Sequence, residues 1–377
     1  MIQTRLALYY AALFGANGVF LPFWPVWLAS RGLSPVEIGI IFACISAMRI
    51  VSTPLVAQIA DRRGDRKPTI VVLAGMATVL YGLYPFGHDF TALLLISLVA
   101  STSWSAGQPL AESLTVIVAK EHRFEYGRVR VWGSIAFIVT ALASGHLLGG
   151  RDAEIIYQVG FVLVAGLFAT TIWLPNPRVP KSETSGYPLL QILRNPGFGL
   201  FLAAAGCVQS SHGVYYAFST LHWRSAGLND TLIGLLWAEG VIAEIVLFAA
   251  AAPLIRRLGA ERMILLGGLA GLVRWSVLAS TDWLPALIVV QILHAFTFGA
   301  AQLGAIHFIA RAVSAQVSAT AQSVYAAAVT GIATGGSMFV SGLLYETIAG
   351  EAYFAMAALG AVGALCAAAL PRTKEGA

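Results

Sequence analysis

The sequence predicts an all-α membrane protein, its twelve spans divided between two pseudo-symmetric six-helix bundles. Three observations predict it. Of 377 residues, 58% are hydrophobic and 11% are charged, whereas an ordinary soluble domain carries about 25% charged residues. The apolar residues gather in runs near the ~20 residues that a helix needs to cross a bilayer. The second half of the chain also repeats the first in register.

The runs lie at 5–29, 37–60, 68–86, 91–119, 125–149 and 154–174, then at 196–223, 230–255, 261–280, 284–311, 316–345 and 350–370. The first run is too long for the apolar core of a signal peptide and has no clear cleavage site, so it is expected to be a retained span. Between the halves lies Pro175–Pro196, "PNPRVPKSETSGYPLLQILRNP", whose prolines and polar residues predict a surface linker. The expected plan is therefore a bundle over 1–175, a linker over 176–195 and a second bundle over 196–377. Most of the 23 Lys and Arg fall on one side of the spans, in the Arg62–Lys67 and Arg256–Arg262 loops, the linker and the tail. By the positive-inside rule that side is cytoplasmic, and both termini with it. A multi-pass protein of a bacterial inner membrane is the expectation. A monomer is expected as well.

Function classes are excluded on similar grounds. The net charge of +5 comes from short loops between apolar runs, not from a face that could bind nucleic acid. Cys44, Cys207 and Cys366 lie far apart in apolar runs, which argues against a disulfide framework or a cysteine metal site. No phosphate-binding loop G-x-x-x-x-G-K-[ST] and no H-E-x-x-H pair occurs, so neither an ATP-driven pump nor a zinc hydrolase is indicated. No cofactor, metal or enzymatic activity is expected.

The repeat pairs residues 32–64 with 227–259 at an offset of 195, with ten identities in 33 positions and a glycine in register at each end. Upstream, Asn17-Gly18-Val19 faces His212-Gly213-Val214. Two six-span halves in parallel repeat are the plan of the major facilitator fold, in which the halves rock around a substrate held near mid-membrane. The loop "AQIADRRGDRK" resembles that superfamily's signature: Asp61, Arg62, Gly64, Arg66 and Lys67 match, and Ala57 stands where glycine is usual. Asp61 would serve as the latch of a conformational loop, capping a helix or pairing with arginine, while Gly64 permits the tight turn. The plain alternative is a positively charged turn.

Six strongly charged residues lie inside the spans: Arg49, Arg130 and Arg274, and Glu112, Glu239 and Glu244. Each would cost about 2.5–3.5 kcal/mol at a span centre, so they are expected to face an aqueous cavity and one another. Glu112 and Arg130, on consecutive antiparallel spans, are expected to meet. A structural ion pair, or an Arg130 that reaches the headgroups, is the plain alternative. His212 stands in the polar, aromatic run "QSSHGVYYAF", together with Tyr215, and His294 lies in span 10. Each histidine could equally be a satisfied interhelical hydrogen bond. Trp24, Trp27, Trp173, Trp223 and Trp283 fall near span ends, as an interfacial belt would. Trp104, Trp132, Trp237 and Trp275 fall deeper, as core packing or the lining of an aromatic pocket.

On these residues the chain resembles known transporters. Glu112 and "FEYGRVRVWGS" resemble the matching spans of lactose permeases. "FLPFWPVWL", "SHGVYYAFSTLHW", "LVRWSVL" and "LIVVQILHAFTF" look closer to the bacterial 3-phenylpropionate/proton symporters. That resemblance implies proton-driven uptake of an aromatic carboxylate. Arg274 and His294 match the lactose-permease pattern, but the acid expected one turn on is Thr297 and the sugar-stacking tryptophan is Phe137. Both departures count against a sugar. The expected substrate contacts are Glu112, Arg130, Arg274, His212, Asn17, Trp237, Trp275 and Tyr215. The expected proton carriers are Glu244 first and Glu112 second, with His294 and Glu239 beside them. The partners are a small molecule, protons and the bilayer. A sugar or nucleoside symporter, a drug exporter, and a non-transporting sensor or assembly factor are the competing readings.

Overall fold

In hydrocarbon a backbone amide or carbonyl has no water to bond, so a spanning segment must satisfy itself as a helix. The computed structural model describes residues 1–177, 196–313 and 318–371, and no strand occurs among them. The first half holds α1 (Ile2–Ser30), α2 (Pro35–Arg63), α3 (Lys67–Tyr81), α4 (Phe90–Glu121), α5 (Tyr126–Leu148) and α6 (Glu154–Ile172). The second holds α7 (Pro196–Ser210), α8 (Gly213–Ser225), α9 (Asp230–Ala249), α10 (Ala251–Ser280), α11 (Leu284–Gln291), α12 (Ala301–Ala312), α13 (Ser318–Tyr325), α14 (Thr334–Ile348) and α15 (Tyr353–Ala368). Two π-helical stretches, Ala295–Ala300 and Ala326–Ala333, join α11 to α12 and α13 to α14.

Ten helical runs among the described residues are long and apolar enough to cross a membrane. One of them, Thr320–Ala368, has 49 residues and would be about 70 Å long at 1.5 Å per residue. It is therefore two crossings, and the chain breaks between them at Ala349, where φ is +47°. Helices α7 and α8, of 15 and 13 residues, are two pieces of a further crossing, interrupted at Ser211 and His212. With these, the twelve expected spans are present. One expected loop is different. Around Arg256–Arg262 the chain stays helical on both sides of Gly259, whose φ of +75° alone interrupts α10.

The internal repeat is written in backbone handedness. Gly32 and Gly227 have φ of +84° and +89°, and Gly64 and Gly259 have +68° and +75°. Each pair is 195 residues apart, the offset of the sequence repeat. A side chain at any of the four would be strained, because this region suits a residue without Cβ.

Two compact units divide the described chain. The first runs from the N-terminus to the linker and takes in Trp223–Ala238; the second holds the rest of the second half. The sequence-expected boundary falls largely on 178–195, outside the described residues. Within the first unit α1 lies against α5 and α6, and α2 and α3 against α4. Gly18 meets α5 so closely that an added Cβ would overlap Thr140 and the Phe137 carbonyl. Gly145 is pressed in the same way on the Asp230 carbonyl, and Gly234 on that of Ala141.

In the second unit α10 packs on α15 and α7 on α15. A Cβ at Gly268 would lie 2.6 Å from the Ala364 nitrogen, and one at Gly360 would lie 2.9 Å from the Leu272 nitrogen. Small residues are what let two membrane helices approach so closely. This contact fixes the part of α10 that next presents Arg274 and Trp275.

Candidate functional site

The second unit gathers its polar residues around one guanidinium. Arg274 is fully buried. It donates from Nη1 to His294 Nδ1 at 3.0 Å and to Thr297 Oγ1 at 3.1 Å, and from Nη2 to Gln291 Oε1 at 2.7 Å. Its Cζ lies 4.4 Å from the ring centre of Tyr215 and 4.5 Å from that of Trp275. These are cation–π distances, and the contact is stronger where water is excluded.

The hydrogen-bond chain can be followed outward. A guanidinium only donates, so His294 Nδ1 must accept, and a neutral His294 carries its proton on Nε2. That Nε2 is 3.9 Å from Glu244 Oε2. His212 Nδ1 lies 3.1 Å from the Gln209 carbonyl, so it must donate, and its Nε2 takes the Thr297 hydroxyl at 3.1 Å. Gln291 Nε2 donates to the Tyr215 hydroxyl at 3.0 Å, and Trp275 Nε1 donates to Ser211 Oγ at 2.9 Å.

Local structure explains the convergence. Gln291, His294 and Thr297 are spaced by three on one crossing, and the π-helical turn begins directly after His294. π-turns insert an extra residue into a helix and often mark functional sites. On the other side, the chain breaks at Ser211 and His212, whose side chains meet Trp275 and Thr297.

Arg274 differs from the sequence expectation in one respect. Three acids and three bases inside the spans suggest that each arginine is paired with a glutamate. Among the described residues Arg274 has no carboxylate within ion-pair distance; its three hydrogen-bond partners are neutral, and its buried Nε has no partner. Thr297 explains this: where an acid is expected, a hydroxyl stands.

In the first unit Glu112 and Arg130 do not touch. Glu112 accepts from Gln108 Nε2 at 3.1 Å, one turn back on α4. The guanidinium of Arg130 lies 3.7 Å from the ring centre of Phe14 and 5.8 Å from that of Tyr10. Tyr126 lies within electrostatic reach of both, and its ring meets Tyr10 edge-on at 6.2 Å. The expected ion pair does not form among the described residues: Glu112 bonds Gln108 on its own helix, and the guanidinium of Arg130 lies over Phe14 instead.

The remaining expected residues are more scattered. Asn17 is half-buried on α1 and makes no side-chain hydrogen bond among the described residues. Trp237 is buried on α9, ahead of Glu239 and Glu244 on the same helix. Glu239 is half-buried and acts electrostatically on Tyr215. Arg49 is exposed on α2. Arg62 is exposed, Arg66 is half-buried, and Gly64 takes its left-handed φ at the turn. The Asp61 side chain lies outside the described residues.

The tryptophans need two corrections. Trp132, expected deep, is 52% exposed. Trp24, Trp27 and Trp223, expected in the belt, are buried. Trp24 and Trp27 stack at 4.6 Å, and Trp27 Nε1 donates to Glu154, which also pairs with Arg31. Position near a span end says nothing of which way a ring faces.

Gln291, Ser211, Phe14 and Tyr126 escape sequence reasoning. For Gln291 a signal existed: it is the first of three polar side chains at intervals of three in the otherwise apolar stretch 284–301.

The fold and the buried polar cluster define a multi-pass membrane transporter. Residues 3–356 match the family model described as the MFS_1 like family, and the chain belongs to that family within the major facilitator superfamily. It is 33% identical over 365 residues to a protein of Escherichia coli K12 named a probable 3-phenylpropionic acid transporter, covering 94% of each chain. It is 27% identical to the lactose permease of Klebsiella oxytoca, over 80% of this chain and 78% of that one. Among solved structures, a point mutant of the nucleoside transporter NupG superposes with a TM-score of 0.89 at 15% identity, covering 99% of this chain and all of that one. These relatives and structural neighbours are transporters, not enzymes.

Proposed function

We propose that the chain carries a small aromatic carboxylate across the bacterial inner membrane together with a proton, by alternating access. One observation carries the reading: a fully buried arginine has, among the described residues, neutral hydrogen-bond partners and lies against two aromatic faces. A buried cation without a counter-charge is costly, and a carboxylate ligand removes the cost. Tyr215 and Trp275 supply the apolar surface an aromatic ring prefers. The name borne by the Escherichia coli relative agrees with this chemistry.

Proton coupling follows from charge balance. A carboxylate arriving at Arg274 adds one negative charge to the unit. A proton taken up by Glu244, 3.9 Å from His294 Nε2, cancels it, so the loaded and empty carriers have the same net charge. Arg274 locks His294 with its free proton on Nε2, which makes Glu244 the proton acceptor and His294 its fixed neighbour. Glu112 and Arg130 are further proposed substrate contacts.

The test is uptake into proteoliposomes. We expect 3-phenylpropionate, but not lactose or uridine, to accumulate when an inward proton gradient is imposed, and to equilibrate without one. Accumulation of a neutral sugar or nucleoside in its place overturns the reading. In Glu244→Gln, proton-driven accumulation is expected to be lost while exchange of labelled for unlabelled substrate continues. Undiminished accumulation would move the proton site elsewhere, with Glu112→Gln the next variant to measure.

A further inference from the structure

The partners of Arg274 are unequal in what they could become. Thr297 and His294 hold Nη1, and Nη2 donates to Gln291 at 2.7 Å. Gln291 is fully buried, and its amide nitrogen donates onward to the Tyr215 hydroxyl at 3.0 Å. An amide in this place orients the guanidinium without neutralising it. A carboxylate of the same shape in the same place would form a buried ion pair and leave the site no need of an anion.

We propose that Gln291 sets the charge selectivity of the carrier: its neutral amide fixes Arg274 in position and keeps its charge available, so that the site selects an anion over a neutral analogue of the same shape. This rests on the reading of Arg274 as the carboxylate-binding residue. Gln291 is on this account a positioning residue, because it acts on the substrate through the arginine.

The geometry also supplies a clean variant. Gln291→Glu conserves size and shape. Its carboxylate accepts from Arg274 as the amide oxygen does. The Tyr215 hydroxyl, which accepts from Gln291, can rotate and donate to Glu instead, since a phenol does both. The described hydrogen bonds of Gln291 to Arg274 and Tyr215 can both be kept while the charge changes.

The experiment measures binding to the purified full chain by isothermal titration at neutral pH, with 3-phenylpropionate and its uncharged amide, 3-phenylpropionamide. The unaltered protein is expected to prefer the acid at least tenfold. In Gln291→Glu that ratio is expected to fall tenfold or more, to parity or below, whereas Gln291→Asn, which stays neutral, keeps the acid preferred though both ligands bind more weakly. Thr297→Asp, with its carboxylate introduced beside Nη1, is expected to lower the ratio as well, and serves as the measurement if Gln291→Glu cannot be purified. An unaltered acid-to-amide ratio in the folded carboxylate variant overturns the role of Gln291. Absence of any acid preference in the unaltered protein overturns the carboxylate reading itself, and the two failures are thereby distinguished.

Discussion

Arg274 is the branch point of the buried network in the second unit. One path runs through Gln291 to Tyr215, and another through Thr297 to His212. Arg274→Lys is expected to abolish substrate binding as fully as Arg274→Gln, because one ammonium cannot reproduce a planar fork lying against two rings. Titration of both variants with 3-phenylpropionate checks it. Thr297→Ala strips partners from both Arg274 and His212. Each buried polar atom left unsatisfied costs about 1–3 kcal/mol, so a lower melting temperature in detergent is expected, whereas Thr297→Ser should melt like the unaltered chain. At this scale the sequence is informative wherever a charge sits in an apolar run, as for Arg274, His294 and Glu244. It is weaker where a neutral side chain forms the contact: Gln291 is marked only by its spacing from His294 and Thr297, and the single hydroxyl of Ser211 is unremarked by composition. It misleads over Glu112 and Arg130, because pairing depends on rotamers and on Phe14, which no spacing rule reports.

Between helices, glycine decides how close two backbones come. At Gly268 even one methyl group would meet the backbone of α15 at 2.6 Å, so Gly268→Ala must push α10 outward, with Arg274 less than two turns away. Overpacking of this kind costs about 1–3 kcal/mol. Gly166→Ala is the control, since nothing lies within 4 Å of its added Cβ. We expect the first substitution to lower both melting temperature and uptake, and the second to change neither. Thermal unfolding and transport measured on the pair decide it. The existence of each crossing is legible from apolar length alone. The breaks are not: those at Ser211–His212 and at the π-turn after His294 depend on which side chains the helix must present, and apolar composition averages that away. The kink at Gly259 passes for a loop in the sequence because arginines flank it.

For the whole molecule, the major facilitator plan is legible because the bilayer simplifies the problem: twelve apolar runs, one polar linker and an internal repeat leave few alternatives. Orientation is a separate inference from the distribution of Lys and Arg, and we predict that both termini face the cytoplasm. Alkaline phosphatase fused after residue 371 should be inactive, and fused within the turn between Leu148 and Glu154 it should be active. The reverse pattern would invert the topology. Substrate identity is the least legible property, because on the proposed reading selectivity resides in a few neutral groups around one cation and not in the scaffold.

The left-handed glycines at 32 and 227, and at 64 and 259, have a consequence for how freely the halves can differ. Most side chains between them have diverged, yet the turns that bracket the segment keep their mirror-image torsions at a constant interval. Two stretches of different side chains are thus framed by the same pair of turns, and each can vary within that frame. Arg49 and Glu244, at equivalent places 195 residues apart, carry opposite charges within that shared frame.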